Sequence, residues 1–299
     1  SAAFVGAATI NALTVTGGAA ADGRDNDTDN SVGGLGGDAS AVFTAALTAT
    51  TVNVTATAGG VGGAGVTTVV STGSLGGAGG DASLDLNVAT GTTQAIGTLT
   101  IAGADGGSAG ADGDSTSVPG AAGGSGGNAS ATIASDFTGN IVLNDGVAGA
   151  TITAAGGAKG TATVTFDGGT VQTITGTIAA SADGEGVIIF SGDSGDVTDI
   201  VTISGAVGTS AKKIGTITSG VTTAQTNSAF TSDVFATTIT HGLNEDWAGD
   251  TTITMDFNGN ATFTTLTVTG GSAAAGEDAA VTAAGNLTGT TIALVEGGT

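Results

Sequence analysis

The run GGLGGDAS at Gly33–Ser40 decides how the rest of the chain is read. It returns as GGAGGDAS at Gly76–Ser83 and as GGSGGNAS at Gly123–Ser130, with starts 43 and 47 residues apart. Each copy leads into an alternation of apolar and polar residues: AVFTAAL, LDLNVA and ATIASDF. Period-two alternation is the pattern of a strand with one buried face. A strand-like phrase also precedes the block: LTVTGG at Leu13–Gly18, LTIAG at Leu99–Gly103, and LTVTGG again at Leu266–Gly271. Weaker copies are GGAKGTATVTF at Gly156–Phe166 and GEDAAVTAAG at Gly276–Gly285. The repeating unit is therefore a strand, a glycine- and aspartate-rich excursion, and a second strand. In such an excursion glycines are expected to supply turns with positive φ, as in Ala58–Gly65.

After about residue 150 the rhythm quickens. Phrases such as GVIIFSGDSG, KKIGTITSG and TTITMDFNG read as short strands closed by Gly with Ser, Asp or Asn. No segment carries a sustained helical period; Ser272–Gly285 is the best place for a brief helix. A strand–turn unit cannot bury its apolar face alone, and stacking on its neighbours solves this. The expected fold is all-β, a parallel β-solenoid with glycine-rich loop excursions. An antiparallel β-sandwich is the alternative, favoured by the many short strands. It is disfavoured by a supply of only 9 Phe, 1 Trp and no Tyr to fill a thick core. Residues 1–299 read as a single elongated body, with a possible subdivision into 1–148, with long loops, and 149–299, with tighter turns.

Composition excludes several classes. Gly makes up 57 of 299 residues and Pro only 1, without the three-residue period of collagen. A hydrophobic fraction of 39% is too high for a disordered chain. The net charge of −22, from 26 acidic and 4 basic residues, repels nucleic acid and anionic membranes and favours divalent cations. Cysteine is absent, so there is neither a disulfide framework nor thiolate chemistry. No apolar run is long enough for a membrane helix. No signal-peptide pattern opens the chain, and Ser1 is compatible with a processed start.

The candidate sites follow from the acidic loops. Calcium takes about six to eight oxygen ligands, backbone carbonyls among them, and suits oxygen-rich loops. The loop DGRDNDTDN offers Asp22, Asp25, Asp27 and Asp29; a second offers Asp105, Asp112 and Asp114; a third offers Asp193 and Asp196. Asp38 and Asp81 hold one position of the block, with Asn128 in the third copy; they read as caps of backbone N–H groups or as calcium ligands. The only histidine, His241, and the only tryptophan, Trp247, read as a surface loop, with Trp247 a candidate contact between subunits. No second histidine, nucleophile motif or zinc spacing accompanies His241, and an enzyme is not expected. Asn26 and Asn128 are the sequons placed in loops, hence the glycosylation candidates. Asn53 and Asn260 lie in or beside strands.

The block GGxGGDA resembles in part the glycine–aspartate repeats of calcium-binding RTX β-rolls, although here the blocks are isolated rather than in tandem. Across nearly its full length, in LTVTGG, GGAGGDAS and GTLTIAG, the chain resembles the low-complexity β-strand-repeat surface proteins of bacteria, such as S-layer-like proteins and filament or adhesin subunits. The resemblance implies an extracellular or cell-surface location, calcium-assisted rigidity and self-assembly into a filament or layer. Copies of the chain are the expected partner, with cell-surface polysaccharide second. An adhesive or carbohydrate-binding module is the rival reading. Open coils are sheet edges, so the end residues Phe4, Val5, Ile292 and Leu294 join Trp247 as interface candidates.

Overall fold

The fold is described from a computed structural model over residues 1–23, 33–63, 75–88, 92–109, 122–146, 158–167, 171–191, 200–220, 226–242, 252–270 and 278–295. In chain order the strands begin with β1 (Ala2–Phe4), β2 (Ala8–Thr16), β3 (Ala39–Phe43), β4 (Leu47–Thr55), β5 (Ala82–Leu86), β6 (Thr93–Ala102) and β7 (Ala129–Ile133). They continue with β8 (Asp136–Asn144), β9 (Ala162–Asp167), β10 (Gln172–Thr175), β11 (Ile178–Ala180), β12 (Glu185–Ser191), β13 (Ile200–Ile203) and β14 (Ile214–Ser219). The last are β15 (Asn227–Phe230), β16 (Val234–Gly242), β17 (Thr252–Phe257), β18 (Ala261–Thr269), β19 (Asp278–Ala283) and β20 (Leu287–Val295).

Among the described residues every strand pairing is parallel. One 10-stranded sheet runs β1-β3-β5-β7-β9-β12-β14-β16-β18-β20. The other runs β2-β4-β6-β8-β10-β13-β15-β17-β19, with β11 beside β10 on β8. Successive turns of chain thus stack one on another as coils, and the antiparallel sandwich is overturned. Stacking sets like residues in columns. Ala2, Ala41, Leu84 and Ala131 open one column, which ends in Ile239, Leu266 and Ile292. A second column begins Phe4, Phe43, Leu86 and Ile133. Between the sheets, Phe190 meets Phe230 edge-on at 5.6 Å, and Phe230 stacks on Phe257 at 5.2 Å. Seven of the nine Phe are buried and bridge the interior that Ala, Val and Ile columns cannot span alone.

The long strands turn a corner where glycines stack. A Cβ on Gly139 would overlap the carbonyl oxygen of Ile96 on the coil before it, one on Gly176 that of Gly139, and one on Gly205 that of Gly176. Gly139 and Gly176 also hold positive φ, 142° and 132°. At Gly176 the partner of β8 is split into β10 before it and β11 after it.

The glycine blocks differ from the expected turns. Among the described residues, no glycine of the three blocks has positive φ. The excursions are extended and bond at every third residue. Ala56, Gly59 and Gly62 donate to the carbonyls of Ala102, Asp105 and Ser108 at 2.9, 3.0 and 3.1 Å. Thr57 and Gly60 donate to Gly80 and Gly77 at 3.0 and 2.6 Å, and Gly124 and Gly127 donate back to Gly60 and Thr57 at 3.0 and 3.2 Å. A step of three with neighbours on several sides is the symmetry of polyproline II, not of a sheet. Glycine is required because the segments nearly touch: a Cβ on Gly77 would overlap the carbonyl of Gly34, and one on Gly124 that of Gly77. Ala58–Gly63 belongs to this array and is not a turn. Toward the end of the chain, the segment read as a brief helix carries β19, because Ala279 and Val281 pack toward the core in register with Ile253 and Met255.

Candidate functional site

Each glycine column is followed by a column of Asp or Asn that ties one coil to the next. Asp38 Oδ1 accepts the backbone N–H of Asp81 at 3.0 Å, and Asp81 Oδ1 accepts that of Asn128 at 2.7 Å. Asn128 Oδ1 then accepts both the N–H and the hydroxyl of Thr161, each at 3.0 Å. Asp22 Oδ1 likewise accepts the N–H of Val61 at 3.0 Å. At the glycine corner Asn140 accepts from Thr177 at 3.1 Å, Asp233 from Asn260 at 2.9 Å, and Asn260 from Asn286 at 3.1 Å. Asp183 accepts from Lys213 at 2.9 Å. In all of these the oxygen sits on the earlier coil and the N–H on the later one, so the ladders have a direction.

Of the calcium candidates, Asp22, Asp38 and Asp81 each hold an inter-coil N–H through one carboxylate oxygen. Asp105 offers its backbone carbonyl to Gly59. Asp25, Asp27, Asp29, Asp112, Asp114, Asp193 and Asp196 lie outside the described residues, as do Asn26 and Trp247. Among the described residues no three His, Cys, Asp or Glu side chains converge on one point. Asn128 is exposed, with its Oδ1 held in the ladder. A shallow depression of about 330 Å³ lies over this ladder, lined by Ser1, Ser40, Ser83 and Ser130 beside Asp38 and Asp81. It presents the four serine hydroxyls beside the two carboxylates and the Asn128 amide.

Asp145 was not singled out by the sequence. It is buried, accepts the N–H groups of Ala162 and Gly186 at 2.7 and 3.2 Å, and pairs with Lys159 at 3.5 Å. A lone Asp in NDGVAG carries no signal of this; only the stacking of later coils supplies its donors.

His241 is not on a surface loop. It takes an interior position in register with Ser219 and Val268, fully buried. Its Nε2 lies 3.2 Å from the Ile253 carbonyl, while among the described residues Nδ1, Thr226 Oγ1 and Ser228 Oγ have no hydrogen-bond partner. Burial pushes the imidazole below its ordinary value of 6.5, and the backbone bond to Ile253 offsets part of this. Nothing nucleophilic or acidic is paired with it among the described residues.

Apolar side chains are exposed on both the first and the last described coil of the stack. Leu294 is 80% exposed and Ile292 56%, whereas Val268 and Leu266, one coil inward in the same columns, are 8% and 1% exposed. Phe4 stacks on Phe43 at 4.4 Å and leaves its other face uncovered; Val5 beside it projects freely. All four end candidates therefore lie on the two terminal coils. No described helix is long and apolar enough to cross a membrane. No protein-family model, no curated protein and no solved structure matches the chain.

Proposed function

We propose that the chain is a non-enzymatic structural protomer that assembles with copies of itself, through the ends of its coil stack, into an extracellular filament or surface layer. The observation that carries this reading is the apolar surface exposed on both the first and the last described coil. A coil whose interior columns face solvent is a sheet edge and a core cut open at once. On these coils β1 presents Phe4 and β20 presents Ile292 and Leu294.

Calcium belongs to the same proposal, as a stiffener of the acidic excursions. A charge of −22 on one chain opposes close packing of copies, and divalent cations relieve that repulsion. Negative-stain imaging of the purified chain, in millimolar calcium and then in EDTA, tests both parts. Ordered polymers in calcium that disperse in EDTA are the expected outcome. Polymers indifferent to EDTA remove the metal; single particles under every condition remove the assembly.

A further inference from the structure

The same ends say how two copies meet. We propose that the chains join head to tail with the strand register of the stack carried unbroken across the seam, so that β20 of one copy lies against β1 and the latter part of β2 of the next. This rests on the self-assembly reading and adds the partner surface, the polarity and the residue pairs.

Register fixes the pairs. The column that starts at Phe4 runs through Phe43 to Val268 and Leu294, and the column that starts at Ala2 runs through Ala41 to Leu266 and Ile292. A third column starts at Leu13 and Val52, passes Ile141, Ile178, Val207 and Val234, and ends at Ala261 and Leu287. Adding a copy in register therefore sets Phe4 on Leu294, Ala2 on Ile292 and Leu13 on Leu287. Phe4, Ala2 and Leu13 at one end thus meet the last members of their own columns at the other.

The ladders fix the polarity. Every Asp or Asn described above lends its oxygen to the coil that follows. The Asn286 N–H donates to Asn260 Oδ1, and among the described residues no N–H of a later coil takes the Asn286 oxygen in turn. In the head-to-tail seam its oxygen faces the N–H of Ala12, the residue before Leu13. A tail-to-tail seam would set two acceptor ends together and leave Leu294 without Phe4.

Cysteine pairing reads the seam. Thr14 and Thr288 are exposed and lie one step after Leu13 and Leu287, in one outward column. In a single chain they sit at opposite ends of a 10-strand stack, roughly 40 Å apart at about 4.8 Å per strand. Across the proposed seam they are adjacent strand neighbours, within the range a disulfide spans. Thr14→Cys and Thr288→Cys chains are mixed, oxidised mildly and resolved on non-reducing gels. Thr290→Cys replaces Thr288→Cys as the off-register control. The expected result is a 14–288 dimer at least tenfold above the 14–290, 14–14 and 288–288 products. Polymers that crosslink mainly as 14–290, 14–14 or 288–288 overturn the register while leaving assembly intact. Absence of both polymer and crosslink overturns the two together. Because both threonines point away from the interior, neither substitution disturbs the coil.

Discussion

A missing Cβ does two different jobs in this chain. At Gly139 and Gly176 it permits positive φ at a corner; at Gly77 and Gly124 it lets carbonyls of neighbouring coils approach where a methyl group would sit. Gly124→Ala is expected to destabilise by about 1–3 kcal/mol, the usual range for forcing an extra carbon into packed surroundings, and to lower the melting temperature accordingly. A melt unchanged within error would show that the excursions do not pack as described. His241 gives a pH signature. Its folded form resists protonation, whereas the unfolded chain takes up a proton near the ordinary 6.5. Stability is therefore complete above that value and falls as pH drops through it. Urea titrations at pH 8 and pH 5 should show the loss, and His241→Phe should remove this share, since Phe166 and Phe190 fill the same column lower in the stack. The sequence put His241 in a loop because it stands in HGLNEDW; only the register with Ser219 and Val268 brings it inside.

Strands were the most legible elements. The alternation in ASLDL and ATFTTLTVT appears directly as inward Leu84, Leu86, Leu266 and Val268 against outward Ser83, Asp85, Thr265 and Thr267. The glycine excursions were legible as excursions but not as a bonded array. Their three-residue step is spread over segments far apart in the chain, and glycine itself does not reveal whether φ or clearance demands it. The Asp and Asn that follow them carry both a capping and a metal reading; the structure shows one oxygen of Asp38 and of Asp81 holding an inter-coil N–H, and substitution at Asp81 separates the two readings. If Asp81 serves the ladder, Asp81→Asn keeps the acceptor for Asn128, as Asn128 does for Thr161, and stability stays within about 0.5 kcal/mol. Asp81→Ala leaves that N–H without its partner and costs about 0.5–1.5 kcal/mol. A large loss in Asp81→Asn, together with a loss of calcium-induced stabilisation, would instead identify a ligand.

At the scale of the whole chain, parallel stacking followed from a repeat that cannot bury itself and from a core of small residues. The order of the sheets, the corner and the polarity of the ladders did not, because they depend on which residue of one coil lies over which of the next. The acidic loops at 24–32 and 110–121 lie outside the described residues, so the calcium proposal stands on charge and composition. If calcium binds only the folded stack, millimolar calcium should raise the melting temperature by mass action. A flat titration would leave the ladders as the main use of the described acidic residues.

The open end at Leu294 bears most directly on what the protein does. Sedimentation velocity over a concentration series, comparing the native chain with Leu294→Asp, isolates it, because the side chain is exposed in the single copy and its replacement spares the interior. The native chain should shift steadily to larger species while Leu294→Asp stays at one slow boundary with an unchanged β spectrum. Identical boundaries for the two at every concentration would contradict end-to-end assembly.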